Sequence, residues 1–378
     1  MTKRVAGACA AILIATTSTS GWCADAAVDY PNRPNRLVVP FPPGGLDASS
    51  EQGTRLRDAN VRESDAATVL IAQNSIRADE YPARPIRLVV PFPPGGGTDI
   101  VARTIVVKLT EGWGQQVIID NRGGAGGVIG ADTVAKSTAD GYTLLFGTPG
   151  ALVINPLLNS KLPYNATRDF TPVSLLALNP QLLAVHQSLP VTSVKELIAL
   201  AKAQPGRLNY ASVGEGTPNH LAMELFKTMT ATSIVHVPYK GAAPAVTDLV
   251  GGHVQLMFNP MPPLMPHVKS GRVRALAVGS TQRSGALPEI PTVAEAGVPG
   301  YEYVTWYSIV APAKTPRAVV GKLNARLAAV LAMPDVAQRL SVQGAEPRAS
   351  SPEELARFIE QDTKRLGDII RAAGIKGE

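Results

Sequence analysis

The chain has 378 residues, enough for two ordinary domains with full cores. Its composition, 45% hydrophobic and 17% charged, excludes a disordered chain. The net charge is +6, but no Lys/Arg run exceeds two residues, which argues against nucleic acid as a partner and leaves a diffuse field suited to small anions.

In chain order, the N-terminus reads as an export signal. Lys3 and Arg4 precede an apolar stretch from Val5 to Thr17, and Ala24-Asp25-Ala26 supplies the small residues a signal peptidase reads, so cleavage is expected after Ala26. The apolar run is too short to span a bilayer. Cys23 as a lipid-attachment site is the competing reading, although Gly21-Trp22 before it is wrong for one. Both cysteines, Cys9 and Cys23, fall inside the removable segment, so the mature chain would hold no thiol for catalysis, metal binding or pairing. The expected compartment is the periplasm.

Next comes a partial repeat. Tyr30 to Gly45 recurs as Tyr81 to Gly96, differing only where Asn32 and Asn35 give way to Ala83 and Ile86. Only the second copy runs on into a helix-like pattern. The stretch from Leu46 to Glu80 lacks aromatic residues and reads as a flexible linker. Residues 27–80 are therefore expected to be a surplus extension, with the working domain starting near Tyr81.

Strand-like and helix-like patterns then alternate. Strands are expected at Arg87–Pro91, Gln116–Asp120 and Tyr142–Gly147, with helices at Thr98–Glu111 and Gly127–Lys136 between them. This is the rhythm of a mostly parallel sheet covered by helices. Ser193 to Glu196 spells a capping box, and Thr217-Pro218 spells an N-cap followed by proline at the first helical position. Further strands are expected at Ile234–Val237, Val254–Phe258 and Val273–Val278. Helices are expected after Thr315-Pro316 and after Ser351-Pro352-Glu353-Glu354. Two longer apolar stretches, Val173–Val185 and Val304–Pro312, bracket the block between them. The economical arrangement is an α/β protein with a second lobe inserted through a two-crossing hinge. On that reading lobe 1 comprises residues 81–178 and 305–378, lobe 2 residues 179–304, and ligand binds in the crevice between them.

Three glycine-rich loops could carry chemistry. Phe92 to Asp99 joins a strand to a helix, where close backbone approach and unpaired N–H groups suit a carboxylate; an ordinary tight turn is the alternative. Gly124, Gly126 and Gly130 loosely echo a dinucleotide fingerprint, but the next strand ends in Phe146-Gly147-Thr148 with no acidic ribose ligand. A second anion-facing loop or plain close packing remains open there. Ser212 to His220 places two hydroxyls beside a helix start, or is simply a capped loop. For catalysis the inventory is thin: the five histidines are scattered, and no metalloprotease, zinc or nucleophile-elbow spacing appears. Ser212 with His220 is conceivable as nucleophile and base, against an ordinary surface or core histidine. Trp306 and Tyr307 either line the cleft or pack in the core.

Taken together, Tyr81 to Asp99 with Ala102-Arg103, Asn121 to Gly127, Asp140-Gly141-Tyr142-Thr143 and Val237-Pro238-Tyr239-Lys240-Gly241 resemble the tripartite tricarboxylate transporter receptors, the Bug family. The resemblance covers residues 81 to about 375; residues 28–80 depart from it. It implies a periplasmic two-lobed binding protein of the type II, Venus-flytrap class. Such a protein closes on a small organic anion and delivers it to membrane permease subunits, as a monomer with no cofactor, no metal and no catalysis. An accessory receptor that presents its ligand to a membrane sensor kinase is the alternative. By that resemblance and by position, the ligand-binding set is Phe92, Gly96, Gly97, Thr98, Asp99 and Thr148 from the first lobe. The second lobe would add Ser212, Gly214, Gly216, Thr217, His220, Tyr239, Gly241 and Asn259.

Overall fold

A computed structural model describes residues 80–375. The export signal, both cysteines, the first copy of the repeat and the linker up to residue 79 lie outside the described residues.

Strand β1 (Ile86–Val90) is branched and apolar except at Arg87, which pairs with Asp120 of the neighbouring strand, and its four apolar residues are buried, as a strand covered on both faces requires. It lies between β2 (Val117–Asn121) and β3 (Thr143–Gly147), parallel to both. Helix α1 (Gly97–Trp113) connects β1 to β2, ending where Gly114 turns left-handed at φ 64°. Helix α2 (Val128–Ala135) connects β2 to β3. After β3 the chain makes a wide helical turn at Gly150–Ile154 and a short helix α3 (Asn155–Leu158).

Strand β4 (Phe170–His186) is the 17-residue element that carries the chain from one lobe to the other. Beyond it lie α4 (Val194–Ala203), β5 (Asn209–Ser212), α5 (Pro218–Thr230), β6 (Val235–Pro238), α6 (Ala242–Gly251), β7 (Leu256–Pro260), α7 (Met261–Lys269) and β8 (Val273–Val278). Strand β9 (Val304–Pro312) brings the chain back, followed by α8 (Arg317–Leu331), α9 (Pro334–Val342), β10 (Glu346–Pro347) and α10 (Pro352–Ala372).

The strand order is β2-β1-β3-β9-β4-β7-β5-β6, with β8 and β10 also pairing with β4. The first half of β4 runs antiparallel to β9, and its second half runs antiparallel to β7 and β8. Each lobe thus has its own sheet, and β4 with β9 forms the two-crossing hinge of a two-lobed α/β binding protein. One apolar core runs through both lobes and contains Val89, Leu145, Tyr210, Phe258 and Trp306. Separate cores lie under α1 with α8, and under α6 with α7.

Most expected elements form within two residues of their predicted bounds, but some local details differ. The box at Ser351 closes in full: Glu354 N donates to Ser351 Oγ (3.1 Å) and Ser351 N donates to Glu354 Oε2 (2.8 Å). At α4 only half of the expected box forms. Ser193 Oγ accepts from Glu196 N, while the Glu196 carboxylate is taken by Thr192 instead. Thr217 does not cap α5 through its side chain; its Oγ1 donates backwards to Gly214 O (2.6 Å), bracing the turn before the helix.

Candidate functional site

The crevice between the lobes is built from strand ends and helix starts. Its inner part, about 450 Å³ with its mouth, is lined from lobe 1 by Phe92, Pro93, Gly96, Gly97, Thr98 and Thr148. Lobe 2 contributes Val213, Pro218, Asn219, Ala242, Asn259 and Pro260, and the returning strand β9 adds Thr305 and Tyr307. No side chain in this lining is charged. Instead, the N-termini of α1, α5 and α6 all deliver their opening residues to it. Each helix start carries roughly half a positive charge and unpaired N–H groups.

The 92–97 loop owes its shape to Asp99. The Asp99 carboxylate accepts from Gly95 N (3.0 Å), Arg103 Nε (2.8 Å) and Asn121 Nδ2 (3.0 Å), and Asn121 Nδ2 also donates to Phe92 O (3.0 Å). Burial would raise its pKa, but the hydrogen bonds from Arg103, Gly95 and Asn121 outweigh that and hold the carboxyl below its usual value. Asp99 therefore lies behind the loop rather than in the lining. A carboxylate facing the cleft would repel an anion, whereas here its charge is spent on holding the glycines in place.

In lobe 2 the same division of labour recurs. Ser212 is fully buried; its Oγ stands 2.6 Å from His236 Nε2 and accepts from Gly214 N (3.2 Å). With Thr217 it fixes the turn that carries Gly214 (φ 135°) and Gly216 (φ 63°), a backbone path open mainly to glycine. Neither Ser212 nor Thr217 is in the lining. Gly214, Gly216, His220, Tyr239 and Gly241 face a wider outer chamber together with Phe92, Glu215, Lys240 and His236. Asn259 reaches the inner cleft, where its Oδ1 accepts from Asn219 Nδ2 (2.7 Å).

The imagined pairing of Ser212 with His220 does not occur; the serine meets His236. His220 stacks flat on His236, with ring centroids 4.3 Å apart and planes 8° from parallel, and Tyr210 stacks on the other face of His236 at 4.8 Å. Burial, with the neighbouring His220 adding to it, pushes the His236 pKa down to about 4, and burial lowers that of His220. Both rings are neutral at pH 7. Among the described residues, no three His, Cys, Asp or Glu side chains gather as a metal site.

Trp306 and Tyr307, left open by sequence, separate cleanly. Alternation along β9 sends Trp306 into the core, where its Nε1 donates to Asp362 Oδ2 (2.7 Å), and sends Tyr307 to the cleft. Asn219 was missed, although its place just inside Thr217-Pro218 was a readable signal. Thr305, Pro260 and Ala242 gave none, because nothing local distinguishes them from other strand-end or helix-start residues.

The lobes are closed on one another. A Cβ on Gly97 would stand 3.0 Å from Pro260 Cβ, and one on Gly241 would stand 3.1 Å from Pro93 Cγ. A Cβ on Gly126 would lie 2.9 Å from Glu215 O, and one on Gly216 would lie 2.9 Å from Asn155 Oδ1. Several of the glycines singled out by sequence are thus where one lobe's backbone meets the other.

Residues 101–375 match the family model described as tripartite tricarboxylate transporter family receptor. The protein BugT of Bordetella pertussis is 40% identical over 302 residues, covering 80% of this chain and 93% of its own. A Rhodopseudomonas palustris protein solved with adipate is 44% identical at a TM-score of 0.77, over 79% of this chain and 100% of that one. MatC from the same species, solved with bound malate, is 33% identical at a TM-score of 0.73, over 77% of this chain and all of its own length. The chain belongs to the tripartite tricarboxylate transporter family of receptors.

Proposed function

We propose that this protein is a periplasmic solute-binding receptor that captures a small carboxylate in the interlobe cleft and delivers it to the membrane permease of a tripartite tricarboxylate-type transporter. The observation that carries the reading is an inner cleft with no charged lining side chain, on which three helix N-termini converge. Oriented N–H dipoles bind an anion with little desolvation of opposing charge, and release it more readily than a buried cation would. The relatives solved with adipate and malate support the choice of a carboxylate. Cleavage after Ala26 would place the mature chain in the periplasm. No helix among the described residues is long and apolar enough to cross a membrane. The working unit is lobe 1 (81–178 and 305–378) with lobe 2 (179–304) inserted. The role is capture rather than turnover: Ser212 and His236 shape a loop, and Glu224 is spent on Tyr210 and Lys227, so that among the described residues no carboxylate is hydrogen-bonded to the histidine.

Thermal-shift screening of carboxylates, amides and aromatic acids, followed by calorimetry on the hits, tests this. A carboxylate that raises Tm and binds at nanomolar to micromolar Kd is expected. If no small anion raises Tm, the carboxylate reading is wrong.

A further inference from the structure

Two fully buried amides at the hinge lack partners in good hydrogen-bonding geometry among the described residues. Asn179 and Gln181 are both 0% exposed, and none of their four side-chain nitrogen and oxygen atoms meets a partner in hydrogen-bonding geometry, although the Tyr307 hydroxyl approaches Asn179. Buried polar groups are paired in the great majority of cases, and a leucine or methionine of similar size would fill the same space without that penalty.

Their position says what they face. They sit on β4 where its pairing passes from lobe 1 to lobe 2: Asn179 lies opposite Thr305 of β9, and Gln181 lies opposite Pro260 of β7. Side chains directly opposite in antiparallel strands share a face, and Thr305 and Pro260 both line the inner cleft. Tyr307, two residues further along that face of β9, brings its hydroxyl close to both Asn179 and Gly97. The two amides therefore lie on the cleft side of the hinge, beneath the binding space.

We infer that Asn179 and Gln181 form a neutral polar subsite at the floor of the cleft, which takes an uncharged hydroxyl or carbonyl substituent of the bound acid. The inference rests on the carboxylate reading above and goes beyond it by naming a second recognition element. The helix N-termini satisfy the carboxylate. Tyr307 is the sole ionisable side chain in the described lining of the inner cleft, so a second charge at the floor would have no counter-charge. A carboxamide offers both donors and an acceptor, which suits a hydroxyl or a carbonyl equally. A site built to pair such a group discriminates against the analogue lacking it, because its own amides are then left unpaired.

The test is calorimetry on matched acids that differ by one hydroxyl: succinate and malate, butyrate and 3-hydroxybutyrate, benzoate and 4-hydroxybenzoate. The wild-type protein is expected to bind the hydroxylated member of at least one pair about tenfold more tightly. In Asn179→Leu or Gln181→Met that preference falls to within about twofold, the unsubstituted acid still binds, and Tm is unchanged or higher. Ratios near one in every wild-type pair overturn the subsite without recourse to any variant, and so does a preference that survives both substitutions. Failure of every acid to bind the wild-type protein would instead remove the carboxylate reading, and the subsite with it.

Discussion

Gly97 is the sharpest point at which closure can be tested. It opens α1 with ordinary helical backbone, so alanine there costs no backbone strain and gains up to about 1 kcal/mol of helix preference. The added methyl, however, meets Pro260 Cβ of the opposite lobe at 3.0 Å and the Tyr307 hydroxyl at 3.1 Å. Tyr307 pairs with Ala177 in the lobe 1 sheet, so its contact is present whether the lobes are open or closed and roughly cancels the helix gain. The Pro260 contact exists only when the lobes close. Overpacking of this kind costs about 1–3 kcal/mol, and the lower half of that range corresponds to roughly 5- to 30-fold in Kd. Gly97→Ala should therefore keep its unliganded Tm within about 2 °C of wild type while binding its carboxylate 5- to 30-fold more weakly. Melting without ligand, calorimetry with it and small-angle scattering for the closed form make the comparison. A Kd within twofold of wild type would refute the claim that ligand is held by closure onto Gly97.

Gly321 supplies the contrast: it lies inside α8 with open space where a Cβ would go, so Gly321→Ala should raise stability by about 0.5–1 kcal/mol and leave Kd untouched. For the histidine stack, burial depresses the folded-state pKa of both rings below 6.5, so the unfolded chain binds the extra protons. Stability is complete above about pH 6.5 and falls as pH drops towards 4. The fall of His236 from 6.5 to about 4 corresponds to roughly 3 kcal/mol, which its partial exposure reduces to about 2. His236→Gln should flatten the urea midpoint between pH 4 and 6.5, and an unchanged profile would count against the stack. Asp362 is 5% exposed and holds both Trp306 Nε1 and Arg365, so Asp362→Ala should cost about 2–4 kcal/mol in urea melts while Kd stays near wild type. Deleting residues 27–80 should leave Tm and Kd unchanged. The first repeat copy carries Asn35 where Ile86 is fully buried and Leu46 where Gly97 stands, so it is a poor substitute for β1, at a cost of about 3 kcal/mol or more. A loss of folding on that deletion would show that the first copy takes part in the sheet.

How much of this was legible in the sequence follows from the range of the interactions involved. Periodicity, prolines and caps are local, so β1, β9 and the box at Ser351 could be read from the chain alone, and two long apolar stretches sufficed to mark the hinge crossings. The glycine loops could be recognised too, because glycine is demanded by backbone geometry within a few residues. Which side chains meet was another matter. Asp99 and Ser212 sit in the right loops but point behind them, a direction set by Arg103, Asn121 and His236 arriving from other elements. Thr305 and Pro260 reach the cleft only because β4, β7 and β9 lie side by side across the hinge. The sequence by itself determined the lobes, the crossings and an anion-friendly backbone. Tertiary structure alone decided that three helix starts share one inner cleft without charged lining and that two buried amides lie under it. Contacts between residues more than a hundred positions apart leave no periodic trace in the chain.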